Sequence, residues 1–183
     1  EADPASEGAA MLALDLLPAT QDAEAIVKRQ LAASPGSSNV RLLYVRTLAT
    51  SQRLPEAAAE ISIITKNEPN LAPPWLTLGA LELEMRRPKE ATDALLTYVR
   101  LVEGGAAVQF GTAANAPPAG DDEDDTPPNA STALTQAFLL LAQAAEQQRD
   151  YAGAERWLAR VDNPQRALEV QARRASLLAR QGK

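Results

Sequence analysis

A period of 34 residues runs through this 183-residue chain and leaves few folds open to it. Glu56-Ala57 returns as Glu90-Ala91, and Pro35 returns as Pro69, each after 34 positions. Upstream, Asp22-Ala23 stands in the same register. Ala154 resumes it 63 positions after Ala91, one period plus an insertion of 29 residues. The repeating unit is helical, because 37 Ala and 25 Leu make up a third of the chain and both favour helix. Helices are expected near 6–17, 21–33, 38–51, 55–67, 72–85, 88–103, 132–148, 151–161 and 165–181. Pro18, Pro35, Pro69 and Pro164 punctuate them by removing an amide donor, while Pro73 and Pro74 are tolerated in a first helical turn. Two antiparallel helices per period are too small to bury their own apolar faces, so neighbouring pairs must stack.

Trp75, Leu78 and Gly79, followed by Ala91 and Leu95, resemble the tetratricopeptide repeat (TPR) family. In that family a large residue opens helix A, Leu-Gly follows, and helix B supplies a small Ala and a large apolar residue. The preceding copy keeps Tyr44, Leu48, Ala57, Ile61 and Pro69, but has Arg41 and Val45 where Trp and Gly are commoner. The copy around Phe138 keeps Leu141, Ala142, Tyr151, Ala154 and Leu158, and the first keeps Leu14, Ala23, Val27 and Pro35. The resemblance implies an all-α, right-handed superhelical solenoid of antiparallel helix pairs. Its repeats would occupy 4–37, 38–71 and 72–103, and 132–183 would hold a fourth plus helix A of an incomplete fifth. Gly79 and Ala142 would let helix A approach helix B closely, with Ala57, Ala91 and Ala154 doing the same from helix B.

Residues 104–131 interrupt the array with Gly, Pro, small polar residues and the run Asp121–Asp125, a composition that is expected to form a flexible insertion. Those five acids carry five of the six net negative charges, so the helical body is nearly neutral. They could settle on the Arg-rich stretch from Tyr151 onwards. The final helix presents Leu168, Ala172, Ala175 and Leu178 at helical spacing, and no partner helix follows it. An uncapped repeat leaves an apolar face open. The expectation is a fragment of a longer array or, alternatively, a self-assembly module, a homodimer through this helix.

Catalysis finds little to work with. His and Cys are both absent, which removes imidazole bases, thiol nucleophiles, disulfides and His/Cys metal sites. Asp121–Asp125 lacks the alternating ligands and turn Gly of an EF-hand loop, so no metal site is expected. Gly104-Gly105 lacks the following Gly and Lys of a phosphate loop. Glu82 and Glu84 point to different faces of one helix, and Glu56 and Glu60 read as solvated surface charges. No catalytic residue and no cofactor is expected, hence no enzyme. Net charge −6 opposes nucleic-acid binding, and no apolar run is long enough to span a membrane.

The resemblance implies a non-catalytic protein-interaction scaffold whose inner, concave surface is lined by helix A. The candidates are Asn39, Leu42, Leu43 and Arg46, then Leu76, Ala80 and Leu83, then Gln136, Leu139, Leu140 and Gln143. Family members that clamp a terminal carboxylate use Lys, Asn and Arg at positions that here hold Leu42, Arg46, Leu76 and Ala80. A mixed apolar and amide groove suits an amphipathic helix or an extended segment of a partner protein instead. Abundant Ala, with Arg favoured over Lys, points to a GC-rich bacterial source. Family analogy leans towards the cell envelope over the cytoplasm, where the chain would be an ancillary part of a larger assembly protein.

Overall fold

The computed structural model describes residues 21–106 and 130–180, and every regular element among them is helical. The helix expected over 6–17 and the acidic run Asp121–Asp125 lie outside the described residues. In order, the elements are α1 (Gln21–Ala33), α2 (Ser38–Thr50), α3 (Leu54–Asn67), α4 (Ala72–Glu84), α5 (Pro88–Glu103), α6 (Ala130–Gln147), α7 (Tyr151–Ala159), a 3-10 turn (Pro164–Arg166) and α8 (Ala167–Arg180). The chain divides into two compact units at the Pro69/Asn70 junction.

In the first unit α1 packs on α2 and α2 on α3. Val40, Tyr44, Val45 and Leu48 form the buried face of α2, and Ala57, Ala58, Ile61 and Ile64 that of α3. Arg41 joins this buried set. Its guanidinium pairs with Glu60 and donates to the Pro35 carbonyl at 3.4 Å. Glu60 is therefore a structural partner, which corrects its reading as a solvated charge. Glu24 fastens α1 from the other side: it accepts the Tyr44 hydroxyl at 2.8 Å and two Arg53 N–H groups at 2.8 and 2.9 Å. Lys28 adds an ion pair at 2.7 Å.

Arg53 first, then Lys28 and the Tyr44 hydroxyl, hold the Glu24 carboxyl well below the usual carboxylate range against the opposing effect of burial. Burial, followed by the Glu24 charge, pushes the Tyr44 hydroxyl up. A depressed folded-state pKa contributes stability above the unfolded value of about 4.3 and loses it as pH falls through the folded value. Glu24→Gln is thus expected to lose about 1 kcal/mol at pH 7. The gap between parent and variant should narrow progressively below about pH 4. Urea midpoints at pH 7 and pH 3 check this; a gap that is constant with pH would contradict it.

In the second unit the helices follow one another in stacking order: α4 on α5, α5 on α6, α6 on α7 and α7 on α8, with α4 also touching α6. Leu95, Tyr98, Val102, Phe138 and Leu141 fill the core between the α4–α5 hairpin and α6. Ala142, Ala154, Leu158, Val170 and Leu177 fill the next, between α6–α7 and α8. Each hairpin therefore completes its core with the next, as a solenoid does. Gly79 is where α4 meets α5, since a Cβ there would stand 2.5 Å from Leu95 Cγ.

The hairpin turns repeat as faithfully as the helices. Gln52, Arg86 and Arg149 all take positive φ, at 60°, 61° and 62°. After each, an amide reaches back to close the helix end: Arg53 to Leu48 O, Arg87 to Glu82 O and Asp150 to Ala145 O, at 2.8–2.9 Å. This is a left-handed helix cap made without glycine. Asp150 then starts α7, its Oδ1 accepting the Gly153 amide at 2.8 Å.

Candidate functional site

The second unit holds a cavity of about 370 Å³ bounded by α6, the 3-10 turn and α8. Gln136, Leu139, Leu140 and Gln143 come to it from α6, and Asn163, Arg166 and Arg173 close it from the far side. The spacing explains the α6 wall, because positions i, i+3, i+4 and i+7 share one helix face. Leu139 and Leu140 give that wall an apolar floor, flanked by two carboxamides. Arg173 crosses the cavity: it donates to the Leu139 carbonyl at 3.3 Å and to Gln143 Oε1 at 3.5 Å, and its Nε lies 3.4 Å from Glu146. Arg166 pairs with Glu169 at 2.7 Å at the rim, and Asn163 Oδ1 accepts the Gln165 amide to shape the turn. The lining thus offers amide donors and acceptors, opposite charges and two leucines, but no nucleophile with an adjacent base. Among the described residues no cluster of three or more His, Cys, Asp or Glu could hold a metal ion.

Four of the eleven expected groove residues therefore meet at one cavity. In the first unit, Asn39, Leu42, Leu43 and Arg46 share the face of α2 turned away from its buried side, where Asn39 and Arg46 are exposed and the two leucines half-buried. On α4, Leu76 and Ala80 are half-buried, and Leu76 packs against the core of the second unit. Leu83 is different. It is 2% exposed in that core, so it is a packing residue and not part of an open groove. Thr132, Thr135, Asn163, Arg166, Glu169 and Arg173 also line the cavity and are not among the expected residues. The register offered a signal for two of them, since Glu169 and Arg173 stand one period after Thr135 and Leu139.

Beside this cavity lies an aromatic cluster with a structural task. Trp157 stacks on Phe138 at 6.0 Å, and the Arg160 guanidinium sits 4.3 Å over the Phe138 ring. Arg160 also pairs with Glu103 at 2.5 Å, fastening the end of α5 to α7. Both tryptophans pack against the core.

Stacked helix hairpins with a polar and apolar groove, and no catalytic constellation among the described residues, define a helical-repeat interaction module. Residues 19–81 match the sequence profile of the tetratricopeptide repeat family, so this part of the chain carries that family's repeat. No curated protein sequence matches it. Among solved structures it is similar to MamA (residues 41 to the end) from Desulfovibrio magneticus RS-1, with a TM-score of 0.69 and 14% identity over 98% of this chain and 86% of that one. An RS-1 MamA double mutant gives a TM-score of 0.70 at 14% identity, covering 99% and 86%. PilF of Pseudomonas aeruginosa gives 0.61 at 18% identity, covering 97% of this chain and 69% of that one. At these identities the likeness is one of fold. The fold is that of a protein-interaction scaffold, and no comparison points to an enzyme family. No helix among the described residues is long and apolar enough to cross a membrane.

Proposed function

We propose that this chain is a non-catalytic scaffold that takes an extended segment of a partner protein into the cavity between α6 and α8. The observation that carries this reading is the meeting of Gln136, Leu139, Leu140 and Gln143 with Arg173 at one cavity. An extended peptide exposes amide groups along its length, and Gln136, Gln143 and Asn163 can pair with them while Leu139 and Leu140 receive an apolar side chain. Opposed charges at Arg166, Arg173 and Glu169 favour a segment of mixed rather than single-sign charge.

The test is a peptide selected from a random library on the 183-residue chain, titrated by fluorescence anisotropy. Gln136→Ala with Gln143→Ala should weaken binding about tenfold or more, at about 1 kcal/mol per lost hydrogen bond. Leu96→Ala, at an exposed site on α5, should leave it unchanged. Leu139 is a poor probe, because it is 8% exposed and belongs to the core between α6–α7 and α8. Equal affinity in the double variant, with helicity intact, would end the proposal.

A further inference from the structure

Helix α8 has two apolar faces and the body uses one of them. Val170 and Leu177 are buried, at 6% and 1% exposure. On the opposite side Leu168 is 86% exposed and Leu178 49%, with Ala172, Ala175 and Ala179 exposed between them. Arg173, which lines the peptide cavity, lies towards the buried side, and Glu169 stands at the edge where the cavity rim meets the open face. A fourteen-residue helix runs about 21 Å, and its row of alanines lets another backbone come close.

We infer that this open face pairs antiparallel with the same face of a second copy of this chain. Charge placement favours that occupant. Glu169 near the start of α8 and Arg180 at its end lie on one edge of the alanine row. When two copies run antiparallel about a two-fold axis at the Arg174–Ala175 step, Glu169 of each comes opposite Arg180 of the other, and the pairing occurs twice. A parallel pair would leave Glu169 of one copy about 16 Å along the axis from Arg180 of the other, with no pairing between them. In the same register Leu178 of one copy meets Gln171 of the other, at the mouth of a cavity of about 460 Å³ between α7 and α8. Tyr151, Ala175, Leu177 and Leu178 line that cavity together with Gln171 and the Glu155–Arg174 ion pair, so it offers an apolar seat with a charged wall. The pairs these charges now make, Glu169 with Arg166 at 2.7 Å and Arg180 with Glu146 at 3.9 Å, involve half-exposed arginines and exchange at little cost. This is an isologous contact, which closes on itself as a dimer.

A single helix pair buries less than the roughly 1,600 Å² of a standard stable interface, so dissociation should fall in the tens to hundreds of micromolar. Sedimentation velocity of the 183-residue chain from about 5 to 500 µM should show a reversible monomer–dimer equilibrium. Ala175→Arg, at an exposed site, should weaken it at least tenfold with the thermal midpoint unchanged. Glu169→Arg alone should weaken it several-fold, and adding Arg180→Glu should restore it to within about twofold of the parent, because the double exchange recreates the opposed charges. A monomer throughout this range overturns the inference, as does a dimer indifferent to Ala175→Arg. A dimer that the double exchange fails to restore overturns the antiparallel register. Peptide capture by the α6–α8 cavity is measured at low micromolar concentration, where the chain is monomeric, so the two readings can fail separately.

Discussion

Replacing Gly79 by Leu is expected to lower the stability of the second unit by about 3 kcal/mol, the upper end of the usual cost of overpacking. A Cβ on residue 79 would stand 2.5 Å from Leu95 Cγ and 2.7 Å from Leu95 Cδ2, with the Ala91 carbonyl oxygen at 3.4 Å. Leu95 is fully buried, and so is Ala91, leaving neither anywhere to go. The larger side chain must therefore prise α4 off α5, and the core shared with α6 goes with it. Gly79→Ala is a sharper probe. Ala gains about 1 kcal/mol over Gly inside a helix, so net destabilisation means the clash outweighs the propensity. Gly79→Leu combined with Leu95→Ala moves the volume across the contact and should recover part of the loss. Urea midpoints of the four proteins decide it. A Gly79→Leu protein as stable as the parent would mean that α4 and α5 do not approach here.

That contact was legible in the sequence because it is local and repeated. Gly79, Ala91 and Leu95 sit within one period, and their chemistry (no side chain against one methyl and one large apolar group) has a single geometric use. The helix limits were legible for a similar reason: proline at 35, 55, 69 and 88 and the acid-Ala starts are local signals. The left-handed turns were not, since Gln52, Arg86 and Arg149 carry no glycine to announce positive φ, and only the shared spacing links them. The candidate site divides along the same line. Gln136, Leu139, Leu140 and Gln143 follow from one helix face, whereas Leu83 depends on what lies across from it. It is sealed because the second unit's core, to which α6 contributes Ala137 and Phe138, closes around it. Arg173 shows the converse: its role comes from reaching back to Leu139 and Glu146 on another helix. Pairings over long sequence separations leave no local trace.

Arg41 offers the largest such departure, and the second large effect is expected there. It stands one period before Trp75, so the second repeat carries a buried cation where the third carries an aromatic ring. The Arg41 side chain is 6% exposed and Glu60, its partner, 24%. Without Glu60 the guanidinium keeps the Pro35 carbonyl at 3.4 Å as its remaining hydrogen-bond acceptor. Glu60→Leu should therefore cost about 2–4 kcal/mol, since an uncompensated buried charge is worse than either a pair or none. Arg41→Met should cost less, because Glu60 can turn its carboxylate towards water. The double variant, Arg41→Met with Glu60→Leu, should return to within about 1 kcal/mol of the parent or exceed it, as apolar replacements of buried pairs do. The cycle then yields a coupling energy of about 2 kcal/mol or more. If the two single effects simply add, Arg41 is solvated in the folded chain, and the ion pair plays no part in holding α2 against α3.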